Sequence, residues 1–133
     1  MNEEHNPNTG QRLVKLSAQL VNFKLRVQAH AWHPATDLFE TSEDFMVKVE
    51  IAGMCEDNFT LHYEGNLLTI AGQRKLSNPE GAFHRLEIPY GDFITSVEIP
   101  ANIRRDDIQA SYQDGFLIVR LPKAQPINIP IQE

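Results

Sequence analysis

The sequence predicts an all-β sandwich carrying a helical leader in front and a short extended tail behind. Three observations carry this. Between about Trp32 and Lys123 the chain divides into about eight short apolar segments separated by turn residues, the spacing of sandwich strands. Two of them, Ile108–Tyr112 and Phe116–Leu121, flank Gln113-Asp114-Gly115, and an Asp-Gly pair supplies the positive φ that a tight hairpin needs. Helical periodicity is confined to one stretch, Gln11 to about Ala29.

Residues 1–9 are polar and contain Pro7, so the first ordered element is expected after a cap at Asn8 or Thr9. At 100° per residue, Leu13, Leu16, Leu20, Phe23 and Val27 fall within roughly an 80° arc. Val14, Val21 and Leu25 form a second stripe. That is more apolar surface than one neighbour covers, so the helix is expected to pack in an assembly, bind another chain, or fold back on its own domain. His30 and His33 flank Trp32, but two histidines without a third ligand make no convincing metal site.

Phe45, Val47, Val49 and Ile51 alternate with Met46, Lys48 and Glu50, the pattern of a half-buried strand. Gly53 turns the chain, and Phe59, Leu61 and Tyr63 then alternate with Thr60 and His62. Glu64-Gly65-Asn66 is a turn before Leu67–Lys75. Leu76–Ala82 is a polar loop, Phe83–Glu87 is strand-like, and Phe93–Ile99 is a strand stopped at Pro100. Arg104-Arg105-Asp106-Asp107 reads as a solvated charged turn. In the final hairpin Ile108, Ala110 and Tyr112 share one face, and Pro122 withdraws a backbone donor and ends the strand.

The net charge is −6, unevenly spread. Residues 1–36 hold four basic and two acidic side chains, a net +2, whereas residues 37–133 hold 8 basic and 16 acidic, a net −8. A negative body argues against nucleic acid as partner; the basic leader leaves docking on an anionic membrane surface as a minor alternative. No apolar run approaches the ~20 residues of a membrane span, and no signal-peptide pattern opens the sequence. Cys55 is the single cysteine, so no internal disulfide forms and a cytoplasmic location is the simplest expectation.

No enzyme chemistry stands out. Cys55 with His62 as its base is the nearest approach, but acidic Glu56 and Asp57 disfavour a reactive thiolate, and no helix start is expected there to offset them. The carboxylates are scattered with no acid–base pair singled out by spacing, and there is no Gly-rich phosphate loop. No catalytic residue, cofactor or metal site is expected.

Several stretches resemble the small heat-shock proteins, the α-crystallin family, in its bacterial and archaeal type. They are Ala110, Gly115, Leu117 and Leu121-Pro122-Lys123; Trp32 to Thr41; Leu68-Thr69-Ile70-Ala71-Gly72-Gln73-Arg74; and Phe83-His84-Arg85-Leu86-Glu87-Ile88-Pro89-Tyr90-Gly91-Asp92-Phe93. Ile88 and Thr95 stand where that family commonly has Arg, which weakens the case for ion pairs between subunits and leaves strand pairing untouched. The resemblance implies an immunoglobulin-like α-crystallin domain at residues 32–123, a variable leader at 1–31 and a C-terminal extension at 124–133.

It further implies an ATP-independent chaperone, a holdase working as a homo-oligomer built from dimers, with unfolding proteins as clients. Phe83, His84, Arg85, Leu86 and Glu87 are the expected dimer strand, and Leu13, Leu16, Leu20 and Phe23 the expected client-binding stripe. Ile127, Ile129 and Ile131 form two overlapping Ile-x-Ile anchors, of which Ile129-Pro130-Ile131 is favoured. The receiving groove is expected to draw on Phe59, Leu61, Tyr63, Ile108, Ala110 and Tyr112. The alternative is a non-oligomeric co-chaperone-type adaptor with a related sandwich.

Overall fold

The computed structural model describes residues 30–77, 80–125 and 130–132. The expected leader helix, with Leu13, Leu16, Leu20 and Phe23, and the tail residues Ile127 and Ile129 lie outside them. Among the described residues seven strands are formed: β1 (Thr36–Glu40), β2 (Asp44–Glu50), β3 (Phe59–Glu64), β4 (Leu67–Arg74), β5 (Gly91–Glu98), β6 (Gln109–Gln113) and β7 (Phe116–Pro122). They make two antiparallel sheets, one four-stranded in the order β1-β2-β7-β6 and one three-stranded in the order β3-β4-β5.

The alternation read from the sequence sets the register. Val47 pairs with Val119 and Val49 with Leu117 across β2 and β7, while Leu61 pairs with Ile70 across β3 and β4. Each of these side chains points between the sheets and is fully buried, because side chains one residue apart take opposite faces. Phe93 is the largest fully buried residue. It meets Trp32 at 5.5 Å and Phe59 at 6.2 Å between ring centroids, so aromatic contacts close the core where the leader joins the domain. No buried side-chain polar atom among the described residues lacks a hydrogen-bond partner.

Turns follow the expected chemistry. Asp114 (φ 54°) and Gly115 (φ 83°) both adopt the left-handed region, the type I′ geometry that matches strand twist. Gly72 serves a different purpose. A Cβ there would lie 2.5 Å from the Asn58 carbonyl oxygen and 2.6 Å from Phe93, so the absent side chain lets the β2–β3 connection pass against the core.

Phe83–Glu87, expected as a strand on a partner's sheet, joins neither sheet among the described residues. Residues 80–90 run irregularly, with Phe83, His84, Arg85, Leu86 and Glu87 exposed. A strand exists only through pairing of its backbone groups, and no edge of its own sheets receives this segment. A correction concerns Glu56–Asn58, which forms a single 3-10 turn immediately after Cys55, where no helix start was expected; Asp57 and Asn58 remain exposed.

Candidate functional site

Every strand edge open to water is a potential pairing surface, and among the described residues the sheets end at four strands, β1, β6, β3 and β5, the last partly covered by the Trp32 bridge to Phe93. The free edges β3 and β6, with Ile108 just before β6, carry the six residues expected to line the tail groove. All six do come together, in one apolar cluster, with Phe59 and Tyr112 5.2 Å apart between ring centroids. Five of them, Phe59, Leu61, Tyr63, Ile108 and Ala110, are buried between the sheets, and only Tyr112 is half-exposed. Alternation points these side chains inward, and the same sandwich core that they build encloses them. Tyr112 is held by its hydroxyl, which donates to the Ile51 carbonyl (2.8 Å) and accepts from the Met54 N–H (3.2 Å).

Arg105 sits at this edge too. Its guanidinium lies 5.3 Å from the Tyr63 ring centre and donates to the Gly65 carbonyl (3.2 Å). It joins the 3-10 turn Arg105–Asp107 to the β3–β4 turn, across 40 residues of sequence. Burial raises the Tyr63 phenol above its ordinary value, while the Arg105 charge acts in the opposite direction. Read as part of a solvated charged run, Arg105 gave no local signal of this contact. Arg104 meets the solvated expectation, pairing with Asp107 at 3.2 Å with both side chains more than half exposed.

The second surface is the excursion between β4 and β5. Leu76, Phe83, Leu86 and Ile88 are exposed, Leu86 and Ile88 to 56% and 59%. Isolated exposed apolar residues are ordinary, but four on one excursion are an unpartnered surface. Tyr90, at the end of this excursion, is half-buried. It lies 5.5 Å from the Arg74 guanidinium, which also sits 4.5 Å over the Trp32 ring. Arg74 donates through Nε (3.0 Å) and Nη2 to the Pro89 carbonyl and through Nη1 to the Ala52 carbonyl (3.3 Å). One side chain thereby pins the end of the excursion to the start of the domain and to the β2–β3 connection. Edge strand β1 offers a matching feature, exposing Leu38 and Phe39. The sequence reading assigned no role to the β1 edge, because edge position depends on strand order.

Tail residue Ile131 is 92% exposed. Thr95, the position that departs from the resemblance, places its hydroxyl 2.9 Å from that of Thr36 and links β5 to β1.

The groups considered for chemistry are dispersed. Cys55 is exposed and unpaired, whereas His62 Nε2 meets Glu64 at 3.0 Å. His33 Nδ1 lies 2.6 Å from the Ile94 carbonyl, which makes it the protonated ring nitrogen. Among the described residues no three His, Cys, Asp or Glu side chains gather as metal ligands. No helix among them is long and apolar enough to cross a membrane.

Comparison with known proteins agrees with this geometry. The Hsp20/alpha crystallin family model matches residues 37–132. The chain is 32% identical over 94 residues to small heat shock protein C4 of Rickettsia felis, an alignment covering 69% of this chain and 58% of that protein. It is 34% identical over 96 residues to heat shock protein 16 of Schizosaccharomyces pombe, covering 69% and 67% respectively. The chain thus spans under two thirds of the length of the Rickettsia relative. Among solved structures, HSP18.5 from E. histolytica superposes with a TM-score of 0.64 at 31% identity, over 76% of this chain and all of that one. A small heat-shock protein from Xylella fastidiosa, described as having a distinct high order structure, gives 0.64 at 26% identity, over 77% and 98%.

Proposed function

Because the chain belongs to the Hsp20/alpha crystallin family, we propose that it is an ATP-independent holdase, working as an oligomer assembled from dimers. The observation that carries this is the excursion 80–90, strand-like in sequence, exposed and unpaired, in a chain whose β1 edge is also open and apolar. In this reading Phe83–Glu87 adds to the partner's β1 edge. Backbone hydrogen bonds give the pairing its strength, and Phe83, Leu86 and Ile88 lose their contact with water. Ile88 and Thr95 lack the guanidinium common in the family, so main-chain pairing replaces ion pairing.

The dimers are joined by the tail. Ile129 and Ile131 enter the seam between the β3 and β6 edges of a neighbouring dimer, with Phe59, Leu61, Tyr63, Ile108, Ala110 and Tyr112 beneath it. Five residues from Ala124 to Asn128 reach at most roughly 17 Å, which favours Ile129-Pro130-Ile131 over Ile127-Asn128-Ile129. Since those core residues are already buried, the tail's isoleucines gain their contact by edge pairing and by wedging the seam. Burying both contributes about 3–6 kcal/mol before the cost of ordering the tail, so each contact is weak and many act together.

Clients are unfolding proteins met by the leader stripe Leu13, Leu16, Leu20 and Phe23, in the cytoplasm and without cofactor, metal or nucleic acid. Holding unfolded chains prevents their aggregation without an energy-consuming cycle. The test is light scattering from a heated or reduced client with the purified protein and no ATP. Suppression is expected near equimolar ratios; no suppression at several-fold excess across several clients sinks the reading. A monomer by static light scattering favours the adaptor alternative.

A further inference from the structure

The outward face of the three-stranded sheet carries three buried side chains at its middle. Leu68 and Ile70 face the core, so Thr69 and Ala71 point away from it. Yet Ala71 is 0% exposed, Thr69 3% and Ile94 6%. They sit in two cross-strand rows, Thr60–Ala71–Ile94 and His62–Thr69–Ser96. Among the described residues the partly buried apolar side chain packed on Ala71 and Ile94 is Ala31 alone.

The chain arrives on this face at that point. The Trp32 N–H donates to the Asp92 carbonyl (3.0 Å), and the Ile94 N–H donates to the Trp32 carbonyl (3.0 Å). This parallel bridge to β5 lays residues 30–33 along the sheet's edge, with Ala31 on its outer side. The described chain thus enters beside the outward face, through Ala31, at the β5 edge and not at the β3–β6 seam.

We propose that this face is the docking site of the chain's own leader, residues 11–29, through the stripe that includes Leu16, Leu20 and Val27. Three features select this occupant. As a helix, 19 residues extend about 28 Å, close to the roughly 26 Å of the eight-residue strand β4. Small side chains at Thr69 and Ala71 let a helix approach closely, while Ile94 and the 38%-exposed Leu67 offer apolar contact at either end. Charge is complementary: the face carries Glu64 and Glu98 in one flanking row and Asp92 at its other end, and the leader carries Arg12, Lys15, Lys24 and Arg26. Docking covers one apolar stripe of the leader and leaves Val14, Val21 and Leu25 outward. This goes beyond the holdase reading and stands without it, since it concerns the chain free of client.

The experiment uses the full chain with a benzophenone amino acid at Leu20, photolysed without client after mixing with an equal amount of uniformly 15N-labelled protein lacking the probe. Crosslinked peptides are then mapped. Unlabelled intrachain products at Thr60, His62, Leu67 or Ser96 are expected. Ser96→Lys, a change at an exposed position, is expected to lower that yield at least threefold while leaving the far-UV circular dichroism unchanged. Products on the labelled chain, on any other surface, or no intrachain product overturn the proposal. So does a yield that Ser96→Lys leaves unaltered.

Discussion

Replacing Gly72 by Ala tests whether the close approach at the centre of β4 controls the domain's stability. Gly72 pairs with Phe59 on one side and Phe93 on the other, and its φ lies outside the left-handed region. Alanine therefore suits the backbone, and fewer unfolded conformations alone would stabilise the variant by about 0.4–1 kcal/mol. Against this stands the new methyl, 2.5 Å from the Asn58 carbonyl oxygen and 2.6 Å from Phe93 Cζ. The first contact is backbone, at the end of a 3-10 turn. The second is a fully buried ring between Trp32 and Phe59, without space to swing. Overpacking of this kind costs about 1–3 kcal/mol, so the clash exceeds the entropic gain and the net loss is about 1–2 kcal/mol. For a domain of this size that lowers Tm by roughly 4–15 °C. Urea and thermal melts followed by circular dichroism, at matched protein concentration, measure it. Gln73→Ala, at the exposed neighbour, is the control and is expected to stay within about 0.5 kcal/mol. A Gly72→Ala protein that melts at or above the parent temperature refutes the reasoning.

Four other outcomes are expected. Leu86→Ser with Ile88→Ser removes exposed apolar surface and is expected to weaken self-association at least tenfold in sedimentation, with less than about 0.5 kcal/mol lost from the domain itself; an unchanged dimer refutes the exchange. Ile129→Gly with Ile131→Gly is expected to reduce the assembly to dimers, and a large oligomer that persists in the ultracentrifuge refutes the tail anchor. Arg74→Gln releases the Pro89 and Ala52 carbonyls and the stack on Trp32; at a half-exposed site that costs about 1–2 kcal/mol. Faster proteolysis within 75–90 is the readout, and an unaltered cleavage rate contradicts the pinning. The fourth concerns alkali. The Tyr63 phenol is raised in the folded state by burial, so the unfolded chain ionises first as pH climbs past about 10. The folded state then holds more protons than the unfolded one and stability falls. Tyr63→Phe is expected to flatten this fall above about pH 10; parallel stability curves for the two proteins count against it.

Much of the fold was legible because sandwich strands are coded locally. Alternation at Phe45–Ile51 and Phe59–Tyr63 reports which side faces the core whatever the strand order, and Asp114-Gly115 carries its turn geometry in two residues. Tertiary structure alone decided the rest. Phe83–Glu87 is strand-like in sequence yet joins neither sheet among the described residues, because pairing depends on which edges the fold brings near. The residues expected to line the groove share inward faces in the sequence, and only the stacking of the sheets shows that Phe59, Leu61, Tyr63, Ile108 and Ala110 are buried between them while Tyr112 is half-exposed. Arg74 and Arg105 sit in ordinary charged contexts along the chain. Their contacts with Trp32, Pro89, Tyr63 and Gly65 join segments brought near only by the stacking of two sheets, and a guanidinium's long reach makes its partners a property of the fold.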